Sequence, residues 1–417
     1  MSKRNKRKQE INSGQDSEHE LYSTPMAFSI YGQEHIDRET MEQMRTAMRL
    51  PVTVKGALMP DAHVGYGIPI GGVLATHSNI VIPYAVGVDI ACRMCMSVFD
   101  LPPETLITEE TKIKNALTSS TIFGVGGENK QHIDTSLFEK NVWKATGTVR
   151  QLKQKAYSQY GTSGAGNHFV EWGILDVLTN DDILYVRPGK YLALLSHSGS
   201  RNFGASICDI YYDIAKQKNI LPREVRHLSW LDLESEEGQE YWIAMNLAGE
   251  YASANHHEIH AKISRSLNVK PIRIVENHHN FAWKEILEDG TNVIVHRKGA
   301  TPAGTGNIGI IPGSMTQPGY IVRGKSDDDS IRSASHGAGR RMSRTQALKT
   351  IDHDHLKRYL QDKGVILIGG DTDEAPMAYK DLDKVMKSQQ NLVSVLARFI
   401  PKIVRMADPE RHGRKRH

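Results

Sequence analysis

In this chain of 417 residues, 52 lysines and arginines against 48 aspartates and glutamates leave a net +4, split as +8 over residues 1–8 and 409–417 and −4 over the rest. That distribution excludes a uniformly basic nucleic-acid scaffold and leaves RNA contact to a local groove or the tails. The chain lacks an 18-residue apolar run and an apolar stretch behind its basic start, and has three cysteines (Cys92, Cys95, Cys208), so no membrane span, secretory signal or disulfide framework is expected; a cytoplasmic location is.

Residues 1–20 are polar and aperiodic and read as a disordered tail, and residues 408–417 as a basic C-terminal tail. From Glu34 to Leu50, Ile36, Met41, Met44, Ala47 and Met48 keep helical spacing, and Pro51 ends the run. The stretch 59–72 is too rich in turn formers for a helix. Residues 79–100 read as strand material broken by Pro83 and Gly87, with Cys92, Met94, Met96 and Val98 on one parity. Short strands running into loops are expected at 166–173 and 190–199, and helices at 205–216 and 236–266. A strand at 271–277 precedes a hairpin signal, Asp289-Gly290. Short strands follow at 308–311 and 320–323, helices at 344–361, a strand at 365–370, and a helix from Asp381 to about Arg398. With no internal repeat and no linker of Pro/Ser/Gly composition, residues 21–407 read as one large α+β domain.

The reactive residue types sit in glycine-flanked islands: Pro60-Asp61-Ala62-His63, Asp89-Ile90-Ala91-Cys92, Gly166-Asn167-His168, Ser196 to Arg201, Asn277 to Asn280, and Ser335 to Arg340. Loops carried on a rigid scaffold commonly hold catalytic and ligand groups. Cys92 and Cys95 form C-x-x-C, but on a strand they face opposite sides and cannot clasp one ion. Asp89 and Cys92 are the better pair, provided that residues 89–92 turn. A thiolate, a carboxylate and imidazoles suit a divalent transition metal. His256 and His260 lie one helical turn apart, but without the H-E-x-x-H order they read as a solvated helix face. Two glycine-rich loops, Pro312-Gly313-Ser314-Met315 and His336-Gly337-Ala338-Gly339-Arg340, can form anion nests, and neither is a Walker loop.

Taken together, PDAHVGYGIPIGG, GVDIAC, GNHFVE, HSGSR, HHNFA, HRKGAT, PGSM, SASHGAGR and DEAPMAYKD resemble, in order over about 340 residues, the RtcB family of RNA ligases. The resemblance implies a single RtcB-type domain, with mixed sheets flanked by helices around a deep metal and nucleotide pocket. It implies joining of an RNA 3′-phosphate or 2′,3′-cyclic phosphate end to a 5′-hydroxyl end, with GTP and two Mn²⁺ ions, in RNA repair or tRNA splicing. The family's metal ligands fall on Asp89, Cys92, His168, His197 and His279, with Cys92 bridging the ions, and its guanylylated histidine falls on His336. GTP contacts fall on Asn167, Glu171, Asn280, Pro312, Gly313, Ser314, Met315, Gly337, Ala338 and Gly339. Asp61, His63, Arg201 and Arg340 match motifs near the site and are assigned supporting roles.

Three positions depart from the family. Arg93 follows Cys92 where a glycine is usual, and is expected to alter the RNA entrance. Gly319-Tyr320 stands where the family has serine-tyrosine. The family's terminal guanine-contacting lysine is missing, and Arg405, then Lys402, is expected to stand in. An RNA-end phosphohydrolase or cyclic phosphodiesterase without ligation, or a non-catalytic RNA-end-binding protein, are the alternatives. An activating protein partner is not legible in the sequence, and no membrane partner is expected.

Overall fold

The computed structural model describes residues 20–130, 133 and 135–409; of the tails expected at 1–20 and 408–417, residues 1–19 and 410–417 lie outside them. Among the described residues the fold is α+β, built on two large sheets. The first runs in the order Ser29–Ile30, Thr53–His63, Ile70–His77, Asn292–Lys298, Asn280–Ile286. The second runs Ile308–Ile311, Gly319–Gly324, Val393–Met406, Phe169–Val177, Gly189–Ser198, Arg93–Phe99, Arg273–His278, with Ile366–Ile368 also on Val393–Met406. The chain crosses between the sheets at His279, which separates strands Arg273–His278 and Asn280–Ile286. Val73 and Val295 of the first sheet share a buried cluster with Ile311 and Val322 of the second.

The long helix Glu236–Leu267 starts on Ser235, whose side chain accepts from Gly238 N, and stops at Asn268 in the left-handed region. It covers one face of the second sheet. Ile259 and Ile263 pack with Phe99, Trp172, Leu192 and Leu194, and the Phe99 and Trp172 ring centres are 5.3 Å apart. Burying an aromatic of this size contributes about 2–3 kcal/mol. Among the described residues no helix is long and apolar enough to cross a membrane.

Most expected elements form. Asp37 caps helix Arg38–Ala47, which buries Met41, Met44 and Ala47. The Asp289-Gly290 signal is the turn between the paired strands Asn280–Ile286 and Asn292–Lys298. The helix expected from Asp381 to Arg398 does not form as such. A short helix, Leu382–Lys387, is followed by the strand Val393–Met406. Val393, Leu396, Ala397 and Ile400 mimic helical spacing, but the segment is rich in β-branched residues, and Pro401 sits at a bulge of the sheet. The solvated face expected at His256 and His260 is also overturned: both are buried against the second sheet. Helices Glu110–Ser120 and Gly147–Gln159 were not anticipated.

Candidate active site

The ends of antiparallel strands in the second sheet deliver the candidate metal ligands to one place. Phe169 pairs with His197, Met94 with His197, and Arg93 with His278, so His168, His197, Cys92 and His279 emerge together at one edge. Asp89 and Cys92 converge through a turn in which Cys92 N donates to Asp89 O at 3.1 Å and Ala91 takes φ 57°. Gly199 makes room for this turn, because a Cβ there would lie 2.1 Å from Asp89 Oδ1. Asn280 braces it by donating to Asp89 O at 3.2 Å.

The donor atoms face one another. Cys92 Sγ lies 3.1 Å from His197 Nε2 and 3.6 Å from His168 Nε2; His197 Nε2 is 3.4 Å from His279 Nε2, and Asp89 Oδ2 is 3.0 Å from His168 Nε2. His168 Nδ1 and His197 Nδ1 each lie 3.0 Å from a backbone carbonyl, of Ser163 and Asn167. A carbonyl only accepts, so both Nδ1 atoms carry the proton, which leaves Nε2 of His197 facing the thiol and Nε2 of His168 facing both the Asp89 carboxylate and the thiol. Burial pushes His197 down to about 3 and also lowers His279, keeping these rings neutral, as metal ligation requires. Burial, then the Asp89 charge, pushes the Cys92 thiol up. A bound cation reverses that balance. The donor set therefore fits a divalent transition metal.

A cavity of about 300 Å³ opens beside this cluster. His197 and His279 form one wall, the Pro312–Met315 loop another, and His336–Arg340 a third, with Asn167 and Glu171 also in the lining. His336 is oriented by a carboxylate: its Nδ1 is 2.7 Å from Asp61 Oδ2, which also accepts from His336 N at 3.2 Å and Gly337 N at 3.3 Å. Burial favours the neutral acid at Asp61, but the hydrogen bond and charge of His336, and the Lys380 charge, hold it below the usual carboxylate range. The His336 ring centre stands 4.8 Å from that of His279. Gly339, at φ 74°, is required here, since a Cβ would lie 2.0 Å from Asp61 O. Ser314 Oγ is buried and unpartnered in the opposing loop, and burial alone raises Glu171 well above the carboxylate range.

His63 lines the cavity, and Arg201 lies behind it, Nη1 3.5 Å from His168 Nδ1. Arg340 lines it too, 3.4 Å from the buried Glu374, which Arg344 also holds at 2.5 Å. Three residues singled out in the sequence lie outside the cavity lining. Asn280 is not in the cavity wall; its Oδ1 accepts from Gly299 N at 2.8 Å. Arg405 does not line the cavity either. Val404 and Met406 do, so strand alternation turns Arg405 to the other face, over the Phe123 ring and 2.7 Å from Asp408. Arg93 is buried, 3.0 Å from Glu276 and from Gly249 O, away from the cavity. Sequence reasoning assigned no role to Phe169, Arg344, Glu374, Tyr379, Val404 or Met406, all in the lining. The DEAPMAYKD motif contains two of them and was the available signal.

A thiol, imidazoles and a carboxylate facing one another fit a divalent metal, and beside them lies a glycine-looped cavity that holds a carboxylate-oriented histidine. A family model described as tRNA-splicing ligase RtcB matches residues 43–151 and 138–407. The chain belongs to the RtcB family of RNA ligases. It is 32% identical over 397 residues to the RNA-splicing ligase RtcB of Escherichia coli, covering 87% of this chain and 92% of that one. It is 32% identical over 423 residues to the tRNA-splicing ligase RtcB of Methanococcus maripaludis, covering 84% and 88%.

Proposed function

We propose that this protein is a GTP- and Mn²⁺-dependent ligase that joins RNA 3′-phosphate or 2′,3′-cyclic phosphate ends to 5′-hydroxyl ends through a His336–GMP adduct. The observation that carries this reading is the 2.7 Å contact between His336 Nδ1 and the buried, ionised Asp61. It holds the proton on Nδ1 and leaves Nε2 as the ring's nucleophilic nitrogen. Nε2 attacks the α-phosphorus of GTP, the N–P bond forms and pyrophosphate leaves, with Asp61 offsetting the positive charge gained by the ring. An oxygen of the RNA 3′-phosphate then displaces the histidine, giving RNA capped by GMP and restoring the ring. Finally the 5′-hydroxyl attacks the 3′-phosphorus, losing its proton, and GMP leaves. A cyclic end is first opened by water to the 3′-phosphate.

Divalent ions held by Asp89, Cys92, His168, His197 and His279 would neutralise phosphate charge and activate the attacking oxygens. The Pro312–Met315 and His336–Gly339 loops offer backbone N–H groups to phosphate. Glu171 and Asn167, across the cavity, would read the guanine edge. The test is incubation with α-labelled GTP and Mn²⁺, followed by a denaturing gel. An acid-labile band lost in His336→Ala, with metal content retained, supports the reading. A band of wild-type intensity in that variant, or none in metal-loaded wild type, overturns it.

A further inference from the structure

Two reactive motifs lie outside the pocket, and the fold brings them together. The strand Arg93–Phe99 alternates: Met94 and Met96 join the cluster of Leu195 and Ile310, whereas Arg93 and Ser97 bond to the long helix. Cys95 shares their parity. From the helix, His256 and His260, one turn apart, face it. Donor atoms of Cys95, His256 and His260 all lie within 4.8 Å of one another, and the three residues are 0%, 0% and 2% exposed. Cys92 belongs to the other cluster, on the opposite face of the sheet.

The His256 ring is pre-oriented as a ligand. His256 Nε2 is 3.1 Å from Ser198 O, so it carries the proton and Nδ1 keeps its lone pair. That Nδ1 points at Ser196 Oγ at 2.6 Å, which is also 2.8 Å from His260 Nε2. Ser97 Oγ holds His260 Nδ1 at 2.8 Å. A buried contact between helix and sheet is ordinarily made with apolar side chains, because polar groups there cost free energy unless fully paired. Here two imidazoles, a thiol and two hydroxyls occupy it, beside the Arg93–Glu276 ion pair, with Cys95 directly opposite Glu276 on the neighbouring strand.

We propose that Cys95, His256 and His260 form a second divalent-metal site of zinc type, separate from the pocket, that ties the long helix to the sheet. One thiolate and two imidazoles are a zinc donor set, and Ser196 Oγ or a water completes four ligands. Metal–ligand bonds of about 2.0–2.3 Å need donors roughly 3.5 Å apart, close to the separations of no more than 4.8 Å among the donor atoms here. The same strands, Arg93–Phe99 and Gly189–Ser198, pass next to Cys92 and carry His197, so a clamp behind them stiffens the pocket from the back.

The test uses the full chain loaded with Co²⁺ alone, reading metal content and the thiolate-to-cobalt charge-transfer absorption. Cys92→Ser removes the pocket thiolate. The folded variant should retain a thiolate band, and Cys92→Ser/Cys95→Ser should lose it. His256→Asn should weaken the Cys95-dependent binding at least tenfold. Should Cys92→Ser not fold, Cys95→Ser alone should bind one ion fewer per chain and lose one thiolate's absorption. A folded Cys92→Ser variant that binds Co²⁺ with no thiolate band, or a Cys95→Ser variant with unchanged metal content and spectrum, overturns the proposal. GMP labelling of His336 is read separately, so either result leaves the proposed ligase activity independently testable.

Discussion

Asp61→Asn tests the reasoning about the nucleophile most directly. The side chain is nearly isosteric, and Asp61 is fully buried, so any effect comes from charge and hydrogen bonding rather than lost packing. In the native site one carboxylate oxygen accepts from His336 Nδ1 at 2.7 Å and from two backbone N–H groups. An asparagine oxygen can keep those three contacts only by placing its NH₂ where Asp61 Oδ1 now lies buried and unpartnered. The opposite orientation aims N–H at Nδ1 and favours the wrong tautomer. A charge-assisted hydrogen bond contributes about 1.5–3 kcal/mol, and loss of the charge that offsets the developing imidazolium adds to it. The sum, about 3–5 kcal/mol, is a 10²–10⁴-fold slower single-turnover labelling with α-labelled GTP. Metal content should be unchanged, because Asp61 is not in the Cys92 cluster. Labelling within threefold of wild type, in protein of equal metal content, refutes the assigned role of Asp61.

Other substitutions separate the site from its supports. Arg93→Ala should destabilise the fold by about 2–4 kcal/mol, because it removes the guanidinium partner of the part-buried Glu276 carboxylate and leaves it to Ser253 and His257. Burial opposes ionisation of Glu276, but His257, Arg93 and Ser253 hold its pKa below the usual value. That stabilisation is present above the unfolded value of about 4.3 and is lost as pH falls toward the folded value, so the deficit in urea melts should shrink below about pH 4; a deficit that grows in acid rejects the pair. Glu171→Gln should weaken GTP labelling about 10- to 100-fold and leave any ATP labelling alone, since one bidentate base contact amounts to about 1–3 kcal/mol; equal loss for both nucleotides rules out base reading. Arg405→Ala should leave the GTP-to-ATP labelling ratio within about twofold, because its guanidinium faces Asp408; a tenfold change would return Arg405 to the nucleotide.

Several of the ligand islands were legible because they pair a reactive residue with glycines that the local backbone requires, as Gly199 and Gly339 show. The opposed faces of Cys92 and Cys95 followed from strand period, whereas the convergence of Asp89 and Cys92 was legible only on condition that residues 89–92 turn, which the bond from Cys92 N to Asp89 O meets. The direction of Arg405 was not legible. It depends on the bulge between Pro401 and Ile403, and one inserted residue flips every side chain after it. The burial of His256 and His260 was hidden for another reason. Polarity predicts exposure only when the partners are unknown, and Ser97, Ser196 and Ser198 come from strands far away in sequence.

The seam between the two sheets explains why the proposed nucleophile and the proposed ligands meet although neither sheet holds both. His279 is the residue at which the chain leaves the second sheet, and its carbonyl accepts from Ala300 N at 3.2 Å. Ala300 pairs with Ser335, the residue before His336. Asp61, on a strand of the first sheet, then fixes the His336 ring. The spacing between His279 and His336 is thus set by backbone ladders and one carboxylate rather than by a mobile loop. In the proposed reaction such rigidity would hold the reacting nitrogen and the phosphate within sub-ångström tolerance. By the same logic, polar groups tolerated behind the sheet, at Cys95 and His256, bear on how firmly the ligand strands are held.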